Sequence, residues 1–231
     1  MLTLLTATGA RPVAWAICEK LMARQDYTGD VRWVVVDDGP EPQPVTFSRP
    51  GWSVEVIRPE PFWKPGQNSQ SRNLLAGLEV ILADEQVIII EDDDYYAPNW
   101  LTVVAEKLES LDLVGLNRAK YYNLKMKKYR QMGNVNHSSL CSTAMRGEAL
   151  KVFRAVCEPR HKFIDMALWR DVEGSKHLFN GQNVIGIKGL PGRPGIGCGH
   201  SKAFKGKQDD DGSVLRLWLG EGISIYDGVT K

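Results

Sequence analysis

"QVIIIEDDDYYAPNW" spans residues 86–100, and its reading decides the fold. Four aliphatic residues, Val87 to Ile90, run straight into four carboxylates, Glu91 to Asp94, and then into Tyr95, Tyr96 and Pro98. A short apolar run bounded by polar residues is expected for a strand covered on both faces. Adjacent carboxylates raise one another's pKa unless a cation compensates. A hard divalent ion is the usual compensation, because Mg²⁺ or Mn²⁺ takes one or two protein carboxylates and completes its shell with water and phosphate oxygens. The run therefore predicts a metal–diphosphate site at a strand end. A solvated acidic turn capping the helix that starts near Pro98 would use the same residues. The stretch "KQDDDG" (207–212) carries a similar triplet without a preceding strand and is expected to be a surface turn.

Outward from this stretch, strand and helix signals alternate. Strands are expected at 2–6, 31–36, 52–57, 86–90 and 112–116, and helices at 11–24, 69–83 and 98–111. Pro12 suits a first helical turn, and Ser69 is placed to cap the helix after it. Alternating βα units imply an α/β fold with a largely parallel sheet and helices on both faces. Ligands bind such sheets at the carboxyl ends of the strands. Three of these ends are polar: "TATGAR" (6–11), "DDG" (37–39) and "EDDD" (91–94). They are expected to open onto one crevice.

After residue 116 the pattern changes. Residues 117–139 lack a helical period and read as a β-hairpin or extended excursion. Helices are expected at 146–158 and 163–172, and "IGIKGLPGRPGIGCGHSK" (185–202) reads as a Gly/Pro-rich loop. The chain is expected to be a single domain over 1–231, with a nucleotide half (1–116) and a smaller acceptor half (117–231).

Composition narrows the function classes. The chain has 231 residues, 43% hydrophobic and 25% charged, with a formal net charge of +1, so no global field points to nucleic acid or membrane. Cys18, Cys141, Cys157 and Cys198 are scattered without a CxxC pair, which disfavours a zinc knuckle or disulfide framework and fits a cytoplasmic protein. No apolar run approaches the roughly 18 residues of a membrane span, and the N-terminus lacks the basic start of a signal peptide.

"VVVDDGP", "GQNSQSRNLLAGL" and "IIIEDDDYYAPNWL" together resemble the nucleotide-sugar half of family 2-type glycosyltransferases with the GT-A fold, over roughly residues 1–116. The resemblance implies a metal-dependent transfer of sugar from a UDP-sugar, with Mn²⁺ or Mg²⁺ as cofactor. It implies that Thr6, Thr8 and Arg11 line a uracil-type pocket, and that Asp37 or Asp38 contacts base or ribose. Arg72 and Asn73 would orient Asp38 or the donor. The metal-binding Asp-x-Asp element has two possible registers. Counting back from Pro98 gives Glu91-Asp92-Asp93, whereas residue identity gives Asp92-Asp93-Asp94. In either register Asp93 is a metal ligand, with Asp94 as a further ligand and Asp92 on the donor.

In the second half the resemblance is looser. Such enzymes often take a further ligand from a C-terminal histidine, here His200, among Gly192, Gly195, Gly197 and Gly199. Lys188, Arg193 and Lys202 would neutralise the donor, and the loop is a candidate lid. Asp165 in "HKFIDMALW", after a basic turn, matches the family's general base.

The segment 117–130 has six basic side chains and no acidic one, interleaved with tyrosines. Basic groups bind phosphates and aromatics stack on bases or sugars, so Lys125, Lys127, Lys128, Tyr122 and Arg130 are candidates for binding a polyanionic acceptor. A lysine-blunted edge hairpin would look the same. The loop "KGLPGRPGIGCGH" is similar to small phage-encoded glycosyltransferases, which implies hydroxymethylated bases of phage DNA as acceptor and the host cytoplasm as location. A glycan or small-molecule acceptor is the alternative. A nucleotidyltransferase would carry a more glycine-rich loop after the first strand than "TATGARP", and a non-catalytic sugar- or nucleic-acid-binding module leaves the acidic run unaccounted for.

Overall fold

Apolar runs become the core of the first sheet. The computed structural model describes residues 1–158, 163–195, 197–200 and 204–229. The first half contains β1 (Leu2–Thr8), α1 (Pro12–Ala23), β2 (Val31–Asp37), β3 (Trp52–Ile57), α2 (Gln70–Leu78), β4 (Gln86–Ile89), β5 (Tyr95–Tyr96), α3 (Trp100–Leu108) and β6 (Leu113–Leu116). The second half adds β7 (Lys120–Asn123), β8 (Lys128–Gln131), β9 (Thr143–Met145), α4 (Gly147–Cys157), α5 (Ile164–Asp171), β10 (Lys176–Phe179), β11 (Val184–Lys188), β12 (Lys207–Gln208) and α6 (Ser213–Leu219).

Among the described residues the first sheet has seven strands in the order β10-β6-β9-β4-β1-β2-β3. All neighbours are parallel except β9, which runs antiparallel to both β4 and β6. Alternation along β2 explains its unbroken hydrophobicity. Val31, Trp33 and Val35 join a core with Trp15 and Trp100, whereas Val34 and Val36 join another with Leu74, Phe153 and Trp169. Helices therefore cover both faces, as the alternation of signals predicts.

The chain moves outward from β1 through β2 to β3, then returns to add β4 on the other side of β1. Loops leaving the carboxyl ends diverge at such a reversal and leave a crevice. Residues 91–94 lie there, and they also bridge two sheets. Directly after them β5 joins a second sheet of order β12-β8-β7-β11-β5.

Three expectations change. The hairpin at 120–131 exists, but the expected loop at 185–202 begins as the buried strand β11. "VIGIK" alternates poorly yet is covered on both faces, a case that glycine content conceals. The triplet at 209–211 is not wholly a surface turn. Asp209 is buried and accepts the N–H groups of Val214 (3.0 Å) and Leu215 (3.1 Å), capping α6. Ser69 does not cap α2 with its side chain. No helix among the described residues is long and apolar enough to cross a membrane.

Candidate functional site

The site is assembled from four strand ends. At the end of β1, Thr8 Oγ1 donates to Asp92 (2.7 Å), and Arg11, one residue before α1, extends its guanidinium across the crevice. Arg11 Nη1 lies 2.5 Å from Asp92 and Nη2 lies 2.7 Å from Asp93. At the end of β11, Lys188 Nζ lies 2.6 Å from Asp94, 3.4 Å from Asp93 and 3.9 Å from Glu91. Asp94 also accepts the Ile187 N–H at 2.9 Å. His200 Nε2 lies 3.2 Å from Asp93 Oδ2.

The glycine-rich loop permits this closeness. A Cβ on Gly195 would sit 2.3 Å from His200 Nε2, and one on Gly199 would sit 2.7 Å from Lys188 Cγ. Asn123 at the end of β7 donates to the Gly199 carbonyl at 2.9 Å, fixing the loop to the second sheet.

Burial sets the protonation states. It pushes Glu91 up to about 8 and Asp94 up to about 6, in both cases against the attraction of Lys188. Burial also raises Asp92, opposed by Arg11. At Asp93 burial is outweighed by Arg11 and Lys188, which hold it well below the usual carboxylate range. Burial lowers His200, despite its bond to Asp93, which favours the neutral imidazole that metals bind.

The donor set fits a divalent ion. Two ligands each about 2.1 Å from one octahedral ion are about 3 Å apart, and Asp93 and His200 have that spacing. Asp94 Oδ2 is buried with no hydrogen-bond partner, and one ligand atom each from Glu91, Asp94 and Cys141 lies within 4.8 Å of the others.

Asp38, just beyond β2, organises the neighbouring part of the crevice. Its carboxylate is fully buried and accepts from the Ser69 hydroxyl, from Arg72 Nη2 (3.0 Å) and from Arg193 Nη1 (2.5 Å). Asn73 Oδ1 accepts from Arg72 Nε (3.2 Å) and Nη2 (3.0 Å), aiming that guanidinium. Arg193 also lies 4.5 Å over the Trp63 ring, and its N–H donates to the Ala10 carbonyl at 3.2 Å. Gly9 is required here: its φ is +140°, and a Cβ would meet Asp38 Oδ1 at 2.4 Å.

The structure thus brings together Thr8, Arg11, Asp38, Arg72, Asn73, Glu91, Asp92, Asp93, Asp94, Lys188, Arg193 and His200. It does not bring in Thr6, whose buried hydroxyl accepts from the Trp33 indole N–H at 2.9 Å inside the core. Asp37 holds its own loop instead, accepting from the Gly39 N–H (2.9 Å) and the Gln43 N–H (2.7 Å). Lys202, and the basic turn before Phe163, lie outside the described residues. Asp165 lies in the first turn of α5; its described partners are the Met166 N–H (2.9 Å) and the charge of His137, neither part of the acidic cluster. Burial raises its pKa.

The hairpin separates by face. Residues directly opposite on paired strands share a face, so Lys128 and Arg130 lie with Asn123 and Tyr121, and these with Lys188 and Gly186. That face ends at the acidic cluster. Tyr122 is on the other face, buried in the core, and so is unable to stack on an acceptor. Tyr129 is likewise engaged, edge-on to Trp218 at 5.5 Å. Lys125, Lys127 and Arg130 are exposed, and Lys128 is half-buried.

Sequence reasoning missed Trp63, Ser69 as a partner of Asp38, and Gln70, whose side chain donates to Glu91 at 3.1 Å. The tryptophan in "PFWKPG" was the available signal. It also missed Tyr96, whose hydroxyl accepts the Glu91 N–H at 2.8 Å and fixes the start of the acidic run.

No protein-family profile and no curated protein matches the chain. Solved structures of S. aureus TarS do resemble it. TarS 1-349 in complex with UDP-GlcNAc aligns at TM-score 0.54 and 14% identity, covering 98% of this chain and 67% of that one. TarS 1-349 aligns at TM-score 0.52 and 14% identity, covering 80% of this chain and 60% of that one. TarS itself aligns at TM-score 0.52 and 12% identity, covering 80% and 37%. The chain thus spans well under two thirds of TarS. The likeness is to a staphylococcal protein and does not bear on the phage-type resemblance. At these identities it shows the fold and the fold alone: a mixed α/β chain of GT-A type.

Proposed function

We propose that the chain is a glycosyltransferase that takes a UDP-sugar together with Mn²⁺ or Mg²⁺ and transfers the sugar to an acceptor hydroxyl. One observation carries this reading. The acidic run lies at the β1–β4 reversal, compensated by Arg11 and Lys188 and contacted by His200, with the Asp38–Arg72 pair on the adjoining strand end.

A uracil ring offers an N–H between two carbonyls, which complements a carboxylate beside a guanidinium. Asp38 and Arg72 supply that pair at 3.0 Å. Asp93 and His200 would hold the ion, with Asp94 adjacent. When bound, the ion would supply charge neutralisation for the departing diphosphate. Arg11 and Lys188 add fixed positive charge, and Asp92, held by Thr8 and Arg11, anchors that guanidinium. Asp165 would take the proton from the acceptor hydroxyl. Burial raises its pKa, which makes the carboxylate a better proton acceptor.

The face bearing Lys128 and Arg130, extended by Lys125 and Lys127 at the turn, supports a polyanionic acceptor, for which hydroxymethylated DNA is the sharpest version. An extruded base would be needed to reach the donor. UDP-GlcNAc, bound in the TarS structure, is the first donor to try. A UDP-release assay with Mn²⁺ across several UDP-sugars, offering hydroxymethylated DNA and neutral glycans as acceptors, tests the reading. Metal-dependent UDP release from at least one donor is expected. No release from any donor would overturn it.

A further inference from the structure

Lys188 is an ammonium group built into the acidic run. Its side chain is 5% exposed, and three of the four carboxylates lie within 3.9 Å of Nζ. It has little room to leave. β11 pairs Lys188 with Asn123 on β7, the Lys188 carbonyl accepts the Leu124 N–H at 2.8 Å, and Gly199 packs against its stem. Tyr121 covers the group, with its ring centroid 5.9 Å from Nζ. Arg11 is the other fixed cation in contact with the run, bonded to Asp92 and Asp93.

A free divalent ion entering beside Asp93 meets the acids and also this immobile positive charge. At such separations, in a partly buried site, a like charge costs several-fold to many-fold in affinity. An ion arriving with a diphosphate brings negative charge that cancels the repulsion and that Lys188 itself attracts. We propose that Lys188 is a tethered counter-cation that keeps the acidic run a weak site for a free divalent ion and a strong one for the ion–diphosphate pair. This rests on the proposed reading of the donor site. Lys188 here is a positioning residue that couples two ligands.

The test is a binding cycle. Mn²⁺ affinity is measured by electron paramagnetic resonance, with and without UDP, for the wild-type chain, Lys188→Met and Lys188→Arg. In the wild type, UDP is expected to tighten Mn²⁺ at least about tenfold. Lys188→Met is expected to bind Mn²⁺ alone at least about tenfold more tightly, with the UDP enhancement reduced correspondingly. Lys188→Arg, which keeps the positive charge, is expected to retain the UDP enhancement that Lys188→Met loses. Should Lys188→Met fail to fold, Asp94→Asn is compared with Lys188→Met/Asp94→Asn, where the double variant is expected to bind Mn²⁺ about tenfold more tightly than the single. Unchanged or weaker Mn²⁺ binding on removal of Lys188 overturns this inference and leaves the donor site standing. Absence of both Mn²⁺ and UDP binding in the wild type overturns the two together.

Discussion

Asp37 and Asp38 are identical neighbours with opposite tasks. Asp37 ties its loop through backbone N–H groups, whereas Asp38 gathers Ser69, Arg72 and Arg193 in the crevice. Charge-assisted hydrogen bonds are worth about 1.5–3 kcal/mol. Asp38→Asn is therefore expected to weaken UDP binding by about tenfold or more in calorimetry; unchanged affinity would detach Asp38 from the nucleoside. Thr6→Val is the contrasting change. It deletes the acceptor for the Trp33 indole and is expected to cost about 1 kcal/mol in thermal unfolding while UDP affinity stays constant. The sequence could not separate Thr6 from Thr8. Period-two alternation places both on one face, and only the length of β1 beyond its neighbour β4 decides which hydroxyl reaches the acidic run.

At the scale of elements, most of the first half was legible because β1, β2 and β4 are apolar runs that each end in a polar cluster, whereas β5 is only two residues and carries no period. Trp52–Ile57 forms the strand expected, and β1, β2, β4 and β6 differ only at their ends. The second half was not. β9 inserts antiparallel between β4 and β6 as only three residues, "TAM", too short to carry a period. β11 was hidden by the glycines around it. The basic hairpin was legible as a hairpin, but the fate of its tyrosines depends on α6, which packs Trp218 against Tyr129. Its lysines carry the acceptor prediction. Neutralising Lys125, Lys127 and Lys128 together is expected to weaken a polyanionic acceptor by about tenfold or more and flatten its salt dependence, with donor affinity unchanged. Unaltered acceptor binding and salt slope would return these residues to edge protection.

For the whole molecule, the acidic run makes stability a function of pH and metal. Glu91 titrates at about 8 instead of its ordinary 4.5, and Asp94 at about 6 instead of 3.8. A carboxyl whose pKa is higher in the folded chain holds its proton more tightly there. Its stabilisation is complete below the ordinary value and is lost as pH rises through the folded one. Without a divalent ion these two carboxyls should thus weaken the fold progressively from about pH 4 to 8, against the opposite and smaller effect of His200, whose pKa burial lowers. An ion binds the deprotonated forms and should release protons on binding. Mn²⁺ is therefore expected to raise the unfolding temperature more at pH 8 than at pH 6. An equal or smaller shift at pH 8 would mean that the acids do not receive the ion. None of this depends on net charge, which at +1 conceals a locally acidic crevice and a basic hairpin on the same chain.

All of these expectations depend on a cation and a diphosphate meeting at the end of β4. Calorimetry with UDP, in the presence and absence of Mn²⁺, measures that meeting without needing the sugar or the acceptor. Association that requires Mn²⁺ in the wild-type chain, and that Asp93→Ala abolishes while its circular dichroism stays native, is the predicted result. UDP binding that is indifferent to Mn²⁺, or that survives intact in Asp93→Ala, would contradict the account.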